Sequence, residues 1–215
     1  MPLIAPSMLS ADFLHLEKDV EMVNRYADIF HLDIMDGVFV PNLSYGFPIV
    51  EAIARRAEKP MDVHLMIVQP ERYVDRFAAI GANMISFHLN ATENPSAVLA
   101  QIRNHGVGAG LVINPDIPVE ELYPYLKECD FVMLMGVYAG FGGQKYIPET
   151  TQRIRSLKDE IVRQGLDVKI EVDGGVTPEN VSEIVGAGVD IVVAGSAVFK
   201  SSDPAAVIDG MRNCI

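Results

Sequence analysis

The sequence predicts an α/β protein whose strands close into a (β/α)8 TIM barrel, and three observations predict it. Apolar runs rich in β-branched residues recur along the chain, amphipathic segments of helical period separate them, and no glycine-rich dinucleotide loop follows the first run. Alternation of this kind implies a parallel sheet, and eight units close naturally into a barrel. The competing open, doubly wound sheet usually carries such a loop where SMLSADF stands here.

The strands are expected at Leu3–Ser7, Ile29–Met35, Met61–Met66, Met84–His88, Gly108–Ile113, Phe131–Val137, Val168–Asp173 and Ile191–Ala194. Each is short, apolar and bounded by turn residues, as a strand covered on both faces should be. Helices are expected over 16–26, 48–57, 70–80, 95–105, 119–127, 150–164, 177–187 and 204–212. Several open with proline near the first helical position, as in Gln69-Pro70-Glu71, Thr177-Pro178-Glu179 and Asp203-Pro204. Gly81, Gly106, Gly165 and Gly186 or Gly188 stand where helices should stop. No linker or low-complexity tract divides the chain, so residues 1–215 are expected to form a single domain.

Composition narrows the function. The 215 residues are 49% hydrophobic and 21% charged, ordinary for a globular protein. A net charge of −12 and the lack of a basic cluster argue against nucleic acid. They do not argue against a small phosphorylated ligand, because backbone N–H groups can hold phosphate unaided. No apolar stretch approaches the roughly 18 residues of a membrane span. The opening MPLIAPSMLSADF lacks a basic n-region, so no membrane partner and a cytoplasmic location are expected. Cys129 and Cys214 match no metal or redox spacing and are read as ordinary thiols.

The chemistry gathers where barrels keep it, at the carboxyl ends of the strands. In HLDIM, the residues His31, Asp33 and Met35 alternate and therefore share one face of strand 2. Strand 3 carries His64 and Met66, strand 4 ends in His88, and strand 7 ends in Asp173. Two imidazoles and two carboxylates meeting at one mouth, His31, Asp33, His64 and Asp173, make a divalent metal site. Its nitrogen and oxygen donors suit Zn²⁺, Fe²⁺, Co²⁺ or Mn²⁺, with no soft thiolate to narrow the choice; Zn²⁺ or Fe²⁺ is the expected ion. A cation would also compensate carboxylates that are costly to bury alone. Asp33 and Asp173, from opposite sides of the barrel, can flank a substrate and exchange a proton alpha to a carbonyl, through an enediolate that the metal stabilises.

Glycine-rich turns follow strands 6, 7 and 8. They are AGFGGQ with Gly140, Phe141, Gly142 and Gly143, then VDGGV with Gly174 and Gly175, then AGSAVF with Gly195 and Ser196. The last two suit a phosphate, and the first suits a lid over it. Met8, Met35 and Met66 offer soft apolar surface; Met35 and Met66 are retained as pocket lining because each follows a ligand candidate by two positions.

Taken together, APSMLSADF, HLDIMDGVFVPN, DVHLM, FHLNATENP, GFGGQKY, EVDGGV and AGSAVF resemble the ribulose-phosphate 3-epimerase family across essentially the whole chain. The resemblance implies a ribulose-phosphate-binding barrel that interconverts D-ribulose 5-phosphate and D-xylulose 5-phosphate in the pentose phosphate pathway with a divalent metal. It implies that His31, Asp33, His64 and Asp173 are ligands, with Asp33 the proton acceptor and Asp173 the donor. It further implies that Ser7 and His64 touch substrate, that Gly140–Gly143, Gly174, Gly175, Gly195 and Ser196 form the substrate loop and phosphate site, and that the chain forms a homo-oligomer.

Two departures stand out. The family usually reads Ser/Thr-Val-x-Pro before Gly-Phe-Gly-Gly, and here the residues are Gly136-Val137-Tyr138-Ala139; Asn90 also replaces a common acidic residue. The absent hydroxyl and proline predict a looser start to the lid and touch substrate preference rather than reaction type. D-Allulose 6-phosphate is therefore an alternative substrate, and a weakly catalytic sugar-phosphate binder a further alternative. A decarboxylase or aldolase-like chemistry would be expected to place a lysine on strand 3, where MDVHLM has none.

Overall fold

The protein is described from a computed structural model over residues 1–214. Eight parallel strands run in the order β1-β8-β7-β6-β5-β4-β3-β2, and a parallel bridge between Ser7 and His31 joins the two ends into a barrel. The strands are β1 Leu3–Pro6, β2 Phe30–Met35, β3 Met61–Met66, β4 Met84–His88, β5 Gly108–Ile113, β6 Phe131–Met135, β7 Lys169–Asp173 and β8 Ile191–Ala194. Four of them are one or two residues shorter than expected. Ser7 stands just past β1, held by its bridge to His31, and its hydroxyl caps a 3-10 turn at Met8–Ser10, accepting the Leu9 N–H.

The outer layer consists of α1 Leu16–Tyr26, α2 Phe47–Ala54, α3 Val74–Ile80, α4 Pro95–Asn104, α5 Glu149–Gln164, α6 Val181–Gly186, α7 Ser196–Phe199 and α8 Pro204–Arg212. Caps explain several boundaries. Asn94 and Asp203 accept the N–H groups of Ala97 and Ala206 ahead of a proline at the first helical position. The segment expected to be helical over 119–127 is a 3-10 helix, Val119–Glu128, because Pro124 inside it removes a donor and blocks the α-helical turn. The expected helix over 177–187 starts only at Val181, and Thr177 instead opens a turn whose N–H donates to Asn180. Among the described residues no helix is long and apolar enough to cross a membrane.

The two faces of the barrel wall differ. Outward-facing Ile4, Leu32, Val63, Ile85, Leu111, Val132, Ile170 and Val192 pack with the helices into one large core. The inward face carries an apolar plug of Ala5, Ile29, Ile191 and Val193, and also the polar residues that build the site. In the β2–β3 ladder His31 pairs with Asp62, Asp33 with His64 and Met35 with Met66. Alternation places all three pairs on the inward face, so histidine, carboxylate and methionine arrive in order towards the carboxyl ends.

Candidate active site

The structure brings the predicted cluster together. Ligand atoms of His31, Asp33, His64 and Asp173 all lie within 4.8 Å of one another. Asp33 Oδ1 is 3.3 Å from His31 Nε2 and 3.2 Å from His64 Nδ1, and Asp173 Oδ2 is 3.8 Å and 3.6 Å from the same nitrogens. Four donors around one cation at about 2.1 Å would be separated by about 3.4 Å in a tetrahedron, so these spacings suit such an ion. His31 Nε2 is buried without a hydrogen-bond partner, a lone donor atom aimed at the centre of the group. The donor set therefore fits a divalent metal.

Neighbouring side chains fix this arrangement. Ser7 Oγ donates to Asp33 Oδ2 at 2.5 Å, and the Asp33 N–H donates to Tyr45 Oη at 3.2 Å. Ser44 Oγ donates to the Asp33 carbonyl and accepts the Met35 N–H. Below them His31 Nδ1 is 2.6 Å from Asp62 Oδ2, with Glu171 Oε1 3.5 Å away. A separation of 2.6 Å marks a hydrogen bond rather than a second shared cation, whose ligands stand further apart. Beside them His64 Nε2 meets His88 Nε2 at 3.0 Å.

Electrostatics follow from this geometry. Burial opposes charge on His31, yet Asp33 and Asp62 hold the imidazole well above its ordinary value. Burial likewise opposes charge on His64, and Asp173 and Asp33 lift it to about 9. Burial would raise the Asp33 carboxyl, but His31 and His64 hold it far below the usual carboxylate range. Burial, then the Asp62 carboxylate, pushes Glu171 up to about 8. The carboxylates of the cluster thus draw positive charge into it, a property that suits a cation site.

Above the cluster lies an open cavity lined by Ser7, Asp33, Met35, Met66, Asp173 and the glycine-rich turns Gly140–Gly143, Gly174–Gly175 and Gly195–Ser196, with Phe141 at its edge. Every residue expected at the site borders it except His31 and His64. These are fully buried, so His64 does not reach the cavity as a substrate contact would. Met8 belongs to the outer core instead of the pocket, while Met135 and Val137, which the sequence reading missed, line it. No lysine or arginine borders the cavity among the described residues, so an anion there would meet only N–H and hydroxyl donors.

The two departures in the lid have structural partners. A Cβ on Gly136 would come within 2.3 Å of the Gly174 carbonyl and 2.9 Å of the Tyr146 ring, so glycine is what admits Tyr146. Gly175, at φ +73°, leaves equally little room, with Tyr146 N 2.3 Å from a Cβ there. Tyr146 thereby wedges between the start of the lid and the turn after β7. At the second departure, Ala139 donates its N–H to Asn114 Oδ1 at 3.1 Å, a bond that proline cannot make. The expected loosening at this position is offset by that bond. Gln144 donates to the Tyr138 and Phe141 carbonyls, and Asn42 donates to the Gly140 carbonyl, tying the lid to itself and to the loop after β2.

A (β/α)8 barrel with a buried His/Asp cluster beneath an open cavity at the carboxyl ends of its strands, rimmed by glycine-rich turns, has the architecture of a barrel enzyme. Comparison with known proteins makes this specific. The Ribulose-phosphate 3 epimerase family matches residues 3–199, and the chain belongs to that family: it is an epimerase acting on a sugar phosphate. It is 47% identical over 213 residues to "Ribulose-phosphate 3-epimerase" of Synechocystis sp., covering 98% of this chain and 93% of that one. It is 43% identical over 213 residues to the protein of the same name from Escherichia coli (strain K12), covering 98% and 95%. Among solved structures, KGPDC from Streptococcus mutans superposes with a TM-score of 0.74 at 12% identity, covering 100% of this chain and 97% of that one. The 3-hexulose-6-phosphate synthase from Salmonella typhimurium superposes with a TM-score of 0.70 at 13% identity, covering 99% and 97%. At such identities these two structures speak for the fold alone.

Proposed function

We propose that the protein interconverts D-ribulose 5-phosphate and D-xylulose 5-phosphate, with one of Asp33 and Asp173 removing the C3 proton and the other delivering a proton to the opposite face. The observation that carries this reading is the approach of two carboxylates, from β2 and β7, to one pair of imidazoles at the floor of the cavity. The names of the relatives support the pentulose substrate. A divalent cation held by His31, Asp33, His64 and Asp173 would polarise the ketose oxygens and stabilise the enediolate charge.

The residues of the chain do the rest. Asp33 takes the C3 proton from one face and Asp173 returns one to the other, the roles exchanging in the reverse direction. Ser7 holds Asp33 in place through its 2.5 Å hydrogen bond. Met35, Met66 and Met135 surround the reacting carbons with apolar surface, which discourages water from quenching the enediolate. Backbone N–H groups of Gly174, Gly175, Gly195 and Ser196 receive the phosphate, and Gly140–Gly143 covers the substrate.

The test is proton NMR in D₂O with Zn²⁺- or Fe²⁺-loaded protein, given D-ribulose 5-phosphate in one sample and D-allulose 6-phosphate in another. Exchange of the C3 proton with epimer formation on the pentulose is the expected result. Exchange confined to the hexulose would move the substrate to the six-carbon sugar and give the Gly136–Ala139 departure a role in that choice. No exchange on either, with metal bound, would overturn the epimerase reading for both sugars and favour a binding protein.

A further inference from the structure

His88 closes β4 and is fully buried, yet the epimerisation scheme gives it no task. Its Nε2 lies 3.0 Å from His64 Nε2, and the rings are nearly parallel, with centroids 5.1 Å apart and a 23° interplanar angle. The Phe39 ring covers it at 4.8 Å. Its Nδ1 has no hydrogen-bond partner, and no carboxylate pairs with it among the described residues.

Two nitrogens at this separation share one proton, so one imidazole donates and the other accepts. Which one donates decides what His64 can do on its other side, where Nδ1 faces Asp33 Oδ1 at 3.2 Å and Asp173 Oδ2 at 3.6 Å. A neutral His64 that offers the Nδ1 lone pair to a cation must carry its proton on Nε2. The acceptor in reach of that proton is His88 Nε2.

We propose that His88 is a positioning residue: a neutral imidazole protonated on Nδ1, whose Nε2 accepts the Nε2–H of His64 and so fixes His64 with its Nδ1 lone pair towards Asp33 and Asp173. The inference rests on the cluster being a cation site. His31 is set by the same logic from the other end. Its Nδ1–H donates to Asp62, so it presents Nε2. The two imidazoles therefore offer opposite nitrogens because their partners lie on opposite sides of the cluster. A neutral acceptor orients His64 without adding a further carboxylate to a site that already holds Asp33, Asp62, Glu171 and Asp173.

The experiment is long-range ¹⁵N–¹H NMR on histidine-labelled protein, with and without Zn²⁺. The expected result on loading is a metal-shifted Nδ1 and protonated Nε2 on His64, with His88 protonated on Nδ1. A His88 protonated on Nε2 in the loaded protein would overturn the assignment while leaving the cation site intact. No shift of any histidine nitrogen on adding Zn²⁺ would overturn the cation site, and this inference with it. The variants His88→Phe and His88→Gln give an independent readout by Co²⁺ competition and the visible spectrum of bound Co²⁺. Loss of the acceptor in His88→Phe should weaken Co²⁺ binding about 10- to 100-fold and alter the spectrum. The Gln carbonyl, a substitute acceptor, should restore most of both. Wild-type affinity and spectrum in His88→Phe would overturn the proposal, and should that variant fail to fold, the spectra of the native protein decide.

Discussion

Asp62 Oδ2 lies 2.6 Å from His31 Nδ1, and both side chains are fully inaccessible to solvent. The pair comes from one rung of the β2–β3 ladder and holds the His31 ring so that Nε2 faces Asp33 and Asp173. Removing the carboxylate in Asp62→Ala takes away the 2.6 Å partner of a buried N–H and leaves only Glu171 Oε1, 3.5 Å away, which should lower stability by about 1–3 kcal/mol. Zn²⁺ affinity should fall about 10- to 100-fold. Denaturant unfolding of the metal-free protein and a chelator competition titration check the two effects separately.

Asp33 and Asp173 should be separable by the proton each one handles. In Asp33→Asn or Asp173→Asn, epimer formation should drop by about 10²- to 10⁴-fold. Each variant should still exchange the C3 proton of one epimer with D₂O, and the two variants should favour opposite epimers. Each also loses one carboxylate of the candidate cation site, so metal content is measured alongside. If both variants exchange the same epimer, the two aspartates do not work on opposite faces.

Gln144 staples the lid through the Tyr138 and Phe141 carbonyls, at 2.7 and 2.8 Å. Two exposed hydrogen bonds, each worth at most about 0.5–1.5 kcal/mol, hold the loop in this shape. Gln144→Ala should therefore raise KM about 5- to 50-fold through the cost of ordering the loop, with a smaller change in kcat. Steady-state kinetics checks the split; an effect confined to kcat would place Gln144 in the chemistry instead.

Gly136→Ser restores the hydroxyl-bearing residue usual in the family but has no room in this chain. The new Cβ would collide with the Gly174 carbonyl, which is backbone and cannot rotate aside, and with Tyr146. We expect a loss of about 1–3 kcal/mol in thermal or denaturant unfolding. KM should also rise, because the turn at Gly174–Gly175 is displaced. Unchanged stability would mean that the turn after β7 shifts readily.

Cys129 is buried, and burial together with Glu128 and Asp130 pushes its thiol up to about 12. At pH 8 the thiol is held in its protonated, unreactive form. In a Cys214→Ser variant, Cys129 should react with a disulfide reagent only at the rate of unfolding. Fast labelling of the folded protein would contradict this.

Much of the site was legible because a strand repeats every two residues. Alternation alone put His31, Asp33 and Met35 on one face, and the same rule extends to Asp62 beside His64 and to Glu171 beside Asp173. Neither stands out in the sequence, because a carboxylate one rung below the strand end has no neighbour along the chain that marks what it will pair with. Glycine-rich turns announced the cavity rim, and all the glycines named there border it. Tyr146 and Asn114 were not readable. Their roles depend on contacts with Gly136, Gly175 and Ala139, which belong to other turns of the barrel.

By itself the sequence determined the order of strands and helices, the parallel sheet and the end of the barrel that holds the chemistry. These follow from local periodicity and from chain connectivity, which nearest neighbours along the chain dictate. Only the tertiary structure decided that His31 and His64 are sealed behind the aspartates, and which nitrogen of each faces them. It also decided that Tyr146 occupies the space Gly136 leaves. Those outcomes depend on the stagger at which the eight strands close, which sets distances between residues far apart in sequence, and on side chains competing for the same buried volume.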